Sequence, residues 1–173
     1  GKAVAAQAGA RLKRCVLELG GSDPYVVLGD ADPEMALERI VTSRTLNAGQ
    51  SCISAKRIIV VPDHYARLHE GVLERFESLK VGDPMDEASE MGPMAREDLR
   101  DTLHDQVVRS VEAGAILESG GKVPTNPGAW YPPTVLSGVT PDHPAFREEL
   151  FGPVAVLIQA RNDAHALALA NDT

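Results

Sequence analysis

The chain has 173 residues, 43% of them hydrophobic and 24% charged, which is enough to bury the core of an ordinary globular domain. Its net charge of −8 argues against binding to a nucleic-acid backbone, which requires clustered Lys and Arg. No stretch approaches the roughly 20 apolar residues that span a bilayer, so we expect neither nucleic acid nor a membrane as a partner.

Helices and short strands alternate along the sequence. The pattern predicts a helix over 2–12, strands over 15–19 and 25–28, a helix over 33–48, a strand over 57–61 and a helix over 64–79. A loop over 82–94, a helix over 96–113, a strand over 115–118, a loop over 120–128, a strand over 154–158 and a helix over 164–170 follow. Asp32 as N-cap and Pro33 at the first helical position define the start of the second helix. This alternation predicts an α/β fold with a largely parallel sheet.

Cysteine and histidine content limits the chemistry further. Cys15 and Cys52 are too few for a disulfide framework, and an acidic, cysteine-poor chain fits the reducing cytoplasm. The five histidines are scattered and never fall at metal-ligand spacing, so we expect no metal site.

Cys52 stands in the stretch Asn-Ala-Gly-Gln-Ser-Cys, between a predicted helix and a predicted strand. A free cysteine is most often a core residue, which would place it on an apolar stripe. Gly49, Gln50 and Ser51 instead predict a polar, flexible elbow. A reactive thiol is expected on such a loop, where a substrate carbonyl can reach it and backbone N–H groups can donate to an oxyanion.

Two further segments contain candidate functional groups. Glu18 lies among apolar residues of a predicted strand and is followed by Gly20-Gly21, which permits a tight turn and a close approach of a ligand. A carboxylate there must be solvated, paired or functional. The segment Arg147–Pro153, with sequence Arg-Glu-Glu-Leu-Phe-Gly-Pro, precedes a buried strand. Seen alone, Glu18 is better explained as a strand residue that faces water, and Arg147–Pro153 as a packed loop.

Together the three segments resemble the aldehyde dehydrogenase superfamily in their residues, order and approximate spacing. Leu-Glu-Leu-Gly-Gly is followed by Gly-Gln-Ser-Cys and, nearly a hundred residues on, by Glu-Glu-Leu-Phe-Gly-Pro. The likeness covers essentially the whole chain and is closest to bacterial NAD-dependent succinate-semialdehyde dehydrogenases. It implies the three-layer catalytic domain of that family, truncated at both ends. Residues 1–18 would be the C-terminal end of the cofactor-binding domain and residues 19–173 an incomplete catalytic domain.

The resemblance also implies roles for individual residues. Cys52 would attack an aldehyde, and Glu18 would activate the water that hydrolyses the resulting thioester. Glu149 and Phe151 match family positions that hold the nicotinamide riboside of NAD (or NADP), and Gly20 matches a position where the backbone lies beside the nicotinamide. The parent enzyme would oxidise a small aldehyde in the cytoplasm as a homodimer or homotetramer, and this chain alone would be inactive.

Two positions bear on the substrate. Some semialdehyde dehydrogenases have an Arg six residues before the nucleophile, where this chain has Leu46, and some form a redox-switch disulfide through a Cys at the position of Ser54. Both positions depart from those enzymes, so succinate semialdehyde is the expected substrate on the overall likeness alone, and a broad-range aldehyde dehydrogenase is the alternative. A non-catalytic relative of the same fold and a Cys–His hydrolase are the rival classes. The presence of both Cys52 and Glu18 argues against the first, and the lack of a local His–Cys signature argues against the second.

Overall fold

The structure is a computed structural model that describes residues 1–172. Its elements in chain order are α1 (Lys2–Gly9), β1 (Pro24–Val27), α2 (Pro33–Thr45), β2 (Arg57–Val60), α3 (Pro62–Ser78), α4 (Glu97–Glu112), β3 (Ile116–Ser119), β4 (Thr134–Ser137), α5 (Pro144–Arg147), β5 (Val154–Gln159) and α6 (Asp163–Asn171). A 3₁₀ turn over Leu46–Gly49 follows α2.

The strands form one five-stranded sheet in the order β1-β2-β5-β4-β3. The first three pairs in this order are parallel, and only β3 runs antiparallel to β4. The predicted α/β fold with a largely parallel sheet is therefore confirmed.

Helices cover both faces of the sheet, because successive strand side chains point to opposite sides. On one face Ile58 and Leu157 pack with the apolar residues of α2 and α3. On the other face Ile59 and Val156 pack with residues of α4, α5 and α6. The result is the three-layer arrangement with a core on each side of the sheet.

Helix α2 begins as the sequence predicts and ends earlier than predicted. The Asp32 side chain accepts hydrogen bonds from the backbone N–H groups of Glu34 and Met35, and Pro33 occupies the first helical position. The predicted end at Ala48 is wrong, because α2 stops at Thr45. The backbone of Ala48 has φ 51°, which a right-handed helix cannot contain.

The predicted strand over 15–19 is also wrong. Residues 13–23 are irregular, and within residues 1–172 no strand lies beside them to complete a ladder. Val16 and Leu19 are exposed. A strand needs a hydrogen-bonded neighbour, which local sequence cannot supply.

Two elements were not predicted from the sequence. Strand β4 is only four residues long and lies between Pro133 and Gly138, so its sequence shows no clear strand pattern. It is nevertheless completely buried, because it pairs with β5 on one side and β3 on the other. The sequence pattern likewise did not predict the four-residue helix α5. The remaining predicted elements are present with ends shifted by no more than two residues for strands and three for helices. Within the described residues no helix is long and apolar enough to cross a membrane.

Candidate active site

The three segments singled out from the sequence precede three neighbouring parallel strands. Gly20-Gly21 precedes β1, Cys52 precedes β2 and residues 149–151 precede β5. These strands are adjacent in the order β1-β2-β5 and parallel, so the segments that enter them lie at the same edge of the sheet.

The Cys52 turn is fixed by side chains that bond to its own backbone. The side-chain amide of Asn47 donates to the backbone carbonyl of Gln50, and the side-chain amide of Gln50 donates to the backbone carbonyl of Asn47, both at 3.0 Å. The Gln50 side-chain oxygen accepts from the Ala95 N–H at 2.9 Å, which ties the turn to the segment before α4. The Cys52 thiol is exposed at the end of this turn, as the sequence predicts for a reactive cysteine.

Gly49 allows this turn to pack directly on the segment that enters β5. Its φ is +70°, and a Cβ at this position would overlap the carbonyl of Gly152. A glycine is therefore required both by the left-handed backbone and by the close backbone contact. The contact joins the Cys52 turn to the segment that carries Glu149 and Phe151.

A buried arginine strengthens the same junction. The Arg44 guanidinium, at the end of α2, is inaccessible to solvent and donates to the carbonyls of Gly49 at 3.1 Å, Leu150 at 2.7 Å and Gly152. Burial lowers the pKa of Arg44 to about 9, and the negative charge of Glu149 opposes this effect. The side chain is therefore a cation at neutral pH and bonds both segments of the junction.

A second buried cation lies next to Cys52. The Lys56 ammonium donates to the carbonyl of Ser51 at 3.0 Å and to that of Cys52 at 2.6 Å. It also forms an ion pair with the Glu149 carboxylate, with Nζ 3.3 Å from Oε1. That oxygen is buried and has no hydrogen-bond partner among the described residues, so the contact with Lys56 is electrostatic and poorly aligned for a hydrogen bond. Lys56 thus connects two of the predicted site residues.

Gly20 and Glu149 lie against each other at the edge of this cluster, and Phe151 follows in the same segment as Glu149. The Glu149 carboxylate lies so close to Gly20 that a Cβ there would overlap its oxygens. The Phe151 side chain is 38% exposed, which is unusual for a phenylalanine ring. The structure therefore places Gly20 against Glu149, and Phe151 follows Glu149 by two residues in the same segment.

Glu18 is less constrained than expected. It lies in the irregular segment before β1 and is exposed, so its prediction as a strand carboxylate is wrong. Within residues 1–172 it makes no ion pair. Its assignment as a general base stays a prediction.

Sequence reasoning missed Arg44 and Lys56 as parts of the site. An arginine was expected only at position 46, where Leu46 is 67% exposed, whereas the buried arginine of this region is Arg44. A usable signal was present, because a lysine directly before a buried strand must find partners for its charge. The sequence does not reveal that those partners are Cys52 and Glu149.

A cleft and the distribution of metal-ligating side chains complete the description of this region. A cleft of about 580 Å³ lies on the α2 side of the Cys52 turn and is bounded by Leu46, Ala48, Arg75 and Glu90 among others. Cys52 and Glu149 do not line it, so it is not assigned to the site. In the part of the chain that the structure describes, no group of three or more His, Cys, Asp or Glu side chains could hold a metal ion.

Comparison with known proteins decides the family. The sequence profile described as the Aldehyde dehydrogenase family matches residues 1–173. The chain belongs to the aldehyde dehydrogenase family. The predicted resemblance is thus confirmed over the whole chain.

Aldehyde dehydrogenase relatives with high identity are named for one substrate. The chain is 52% identical over 173 residues to the succinate semialdehyde dehydrogenase [NAD(P)+] Sad of Escherichia coli, covering 100% of this chain and 37% of that protein. It is 47% identical to a succinate-semialdehyde dehydrogenase [NADP(+)] of Mycobacterium avium, again covering 100% of this chain and 37% of the relative. The chain therefore spans just over a third of the length of these relatives.

An aldehyde dehydrogenase from Bacillus cereus, solved as an NAD+ complex, has the same fold. It superposes with a TM-score of 0.96 at 29% identity and covers 100% of this chain and 35% of that one. The predicted family fold is confirmed by this agreement.

Proposed function

We propose that the enzyme in which this sequence occurs oxidises an aldehyde to a carboxylate with NAD(P)+, and that Cys52 is its nucleophile. One observation carries the proposal, namely that Gly20, Cys52 and Glu149 precede three adjacent parallel strands and meet at one edge of the sheet. The family membership and the names of the relatives support the same reaction.

The residues at this edge fit a nicotinamide riboside. A buried Glu149 oxygen without a hydrogen-bond partner among the described residues suits an acceptor for ribose hydroxyl groups. Phe151 offers a half-exposed ring for packing, and Gly20 places backbone without a side chain next to the carboxylate. Glu149, Phe151 and Gly20 are therefore the residues that we assign to the cofactor. When bound, NAD(P)+ supplies the hydride acceptor that turns a thiohemiacetal on Cys52 into a thioester.

Cys52 begins the reaction by adding its sulfur to the aldehyde carbonyl carbon, which gives a thiohemiacetal. An exposed thiol on a turn held by its own hydrogen bonds is accessible to substrate and yet fixed in position. The Cys52 backbone N–H is suited to donate to the oxyanion that develops on the former carbonyl oxygen.

Glu18 completes the reaction by removing a proton from the water that attacks the thioester. The products are the carboxylate and the free Cys52 thiol, so each atom of the acyl group and the water is accounted for. The exposed position of Glu18 gives water free access to it.

We infer further that residues 1–18 are the end of a cofactor-binding domain and that residues 19–173 belong to the catalytic domain. Helix α1 buries none of its residues against either core, which supports a boundary after it. An assembly as a homodimer or homotetramer is part of the same proposal. The low cysteine content and the acidic composition support a cytoplasmic location.

Succinate semialdehyde is the substrate that we propose, because two relatives at 52% and 47% identity are named for it. The exposed side chain at position 46 is leucine, so a different cation must hold the substrate carboxylate. We expect kcat/KM of the enzyme for succinate semialdehyde to exceed that for an uncharged aldehyde of similar length by about 10-fold or more. Equal values would instead support a broad-range aldehyde dehydrogenase.

Replacement of the two catalytic candidates tests the mechanism. Cys52→Ala should abolish NAD(P)+ reduction, and Glu18→Gln should lower the steady-state rate by roughly 10²–10⁴-fold, as expected for loss of a general base. Iodoacetamide should label Cys52, and aldehyde should protect it. Cys15→Ser is the matched control, because Cys15 is also an exposed free cysteine. This substitution should leave both the activity and the labelling of Cys52 unchanged. Undiminished turnover by Cys52→Ala would exclude the proposed nucleophile.

A further inference from the structure

Lys56 is a completely buried cation whose acceptors all belong to the proposed site. Only 1% of its side chain is accessible to solvent. Its ammonium group has three N–H donors, and three oxygen groups surround it: the Ser51 carbonyl, the Cys52 carbonyl and the Glu149 carboxylate.

The energetics favour a fixed arrangement of these groups. A buried ammonium costs several kcal/mol unless it is paired and hydrogen-bonded, so the lysine holds its acceptors close. The shortest contact, 2.6 Å, is to the carbonyl of Cys52 itself. The only carboxylate in ion-pair contact with Lys56 among residues 1–172 is Glu149. Movement of either partner would leave the buried charge with two acceptors in place of three.

The neighbouring residue, Glu148, also carries a carboxylate, and its partners can be compared with those of Glu149. Glu148 precedes Glu149 in the chain but pairs with Arg109 at 2.8 and 2.9 Å and contacts Gln106 at 3.0 Å. The two acidic residues therefore have separate cations. Only Glu149 is joined through its cation to the turn that carries the thiol.

We propose that Lys56 is a positioning residue that holds the backbone of Cys52 and the carboxylate of Glu149 in one arrangement, so that the nucleophile and the cofactor-binding carboxylate are coupled. This inference rests on the proposed function, because it assigns Lys56 to the same site. Coupling of this kind is reciprocal, so a change at Glu149 alters Cys52 and a change near Cys52 alters cofactor binding.

A double-mutant cycle read out by thiol alkylation measures the coupling without turnover. In the enzyme with Cys15→Ser, the second-order rate of Cys52 alkylation by iodoacetamide is compared for Glu149→Gln with and without Lys56→Met. We expect Glu149→Gln to change the rate by about threefold or more when Lys56 is present and by less than twofold when it is absent. Glu148→Gln is the matched control and should give additive effects with Lys56→Met.

Steady-state kinetics provide the second measurement. Lys56→Met should raise the KM for NAD(P)+ and lower kcat, each by roughly tenfold, because neither the Glu149 carboxylate nor the Cys52 backbone is then held in place. Lys56→Arg keeps the charge and should recover part of both parameters. Lys122→Met removes an exposed lysine and should leave both unchanged.

The outcomes separate this inference from the proposed function. Additive effects of Lys56→Met and Glu149→Gln on the alkylation rate would refute the coupling through Lys56. If Glu149→Gln alone still raises the KM for NAD(P)+, the proposed function stays intact. An unchanged KM for NAD(P)+ in Glu149→Gln together with full activity of Cys52→Ala would refute the function itself. If Lys56→Met does not fold, the inference is tested in enzyme that keeps Lys56. Equal Cys52 alkylation rates for Glu149→Gln and Glu148→Gln would then refute the inference, and a threefold difference between them would support it.

Discussion

At the scale of single residues, the absence of a side chain at Gly20 shapes the proposed cofactor site. The Glu149 carboxylate occupies the space that a Cβ at position 20 would need. The backbone of Gly20 does not have a positive φ, so an alanine is acceptable to the main chain and only the contact with Glu149 changes. This makes Gly20 a means of displacing that carboxylate without altering its charge.

We therefore expect Gly20→Ala to raise the KM of the enzyme for NAD(P)+ by roughly tenfold, because it displaces Glu149. The free energy of unfolding should also fall, by about 1 kcal/mol or more, because the displaced carboxylate weakens its ion pair with the buried Lys56. Gly21→Ala is the matched control. Its nearest atom, an Asp23 oxygen, lies 3.8 Å from the added Cβ, so the KM should not change. Equal effects of the two substitutions would contradict the assignment.

The backbone of the Cys52 turn is also a property of individual residues. Asn47, Ala48 and Gly49 all have φ between 51° and 70°. This conformation is common for glycine, tolerated by asparagine and costly for alanine, by roughly 1–2 kcal/mol. The hydrogen bonds of Asn47 and Gln50 and the contact of Gly49 with Gly152 hold the strained backbone in place. Strain of this kind is typical of functional turns.

At the scale of secondary-structure elements, two buried arginines tie loops to helices. Arg44 connects the end of α2 to the segment that enters β5, through carbonyls of Leu150 and Gly152. Arg57, at the start of β2, donates to the Ser22 carbonyl and to the carbonyls of Leu169 and Ala170 at the end of α6. A cation at the C-terminus of a helix is also favoured by the helix dipole.

Arg44→Met should lower the free energy of unfolding by about 2–4 kcal/mol, because several buried carbonyls lose a charged donor. Arg44→Lys should recover only part of this loss, since an ammonium group lacks the planar fork of donors. Urea unfolding of the variants provides the measurement. Arg39→Met, which removes an exposed arginine from the same helix, should change stability by less than about 0.5 kcal/mol. A similar loss in both methionine variants would show that Arg44 does not stabilise the junction.

At the scale of the whole molecule, ion pairs between distant elements set the dependence of stability on pH. Arg109 of α4 binds Glu148, in the segment before β5, through two parallel hydrogen bonds. The hydrogen bonds from Arg109 and, next, from Gln106 lower the pKa of the Glu148 carboxyl from 4.5 to about 2. The unfolded chain therefore binds more protons at this site than the folded chain between these values.

The stabilisation from Glu148 is present above pH 4.5 and is lost as the pH falls towards 2. We expect the unfolding free energy of Glu148→Gln to decrease less steeply over this window than that of the native chain. The group is partly exposed, so the difference is reduced by solvent screening. Urea unfolding at a series of pH values gives both slopes. Glu112→Gln changes an exposed carboxylate of α4, the helix that contains Arg109, and should leave the native slope unchanged. Identical slopes for native chain and Glu148→Gln would contradict the prediction.

Local sequence patterns were sufficient for much of the fold and for the identity of the family. Asp32 and Pro33 predict the start of α2, because capping depends on residues within one helical turn. The apolar β-branched run of β2 predicts a buried strand for a similarly local reason. The cysteine and the Glu-Glu-Leu-Phe-Gly-Pro segment identify the aldehyde dehydrogenase family, since their residue types and order are visible without coordinates.

Only the tertiary structure determined how the site is assembled. The strand order β1-β2-β5 places Gly20, Cys52 and Glu149 at one sheet edge, although more than 120 residues separate the first from the last. Strand pairing depends on long-range contacts, so neither this order nor the false strand over 15–19 could be recognised locally. The same reason hid Lys56, because a buried charge is defined by partners that the fold alone brings within reach.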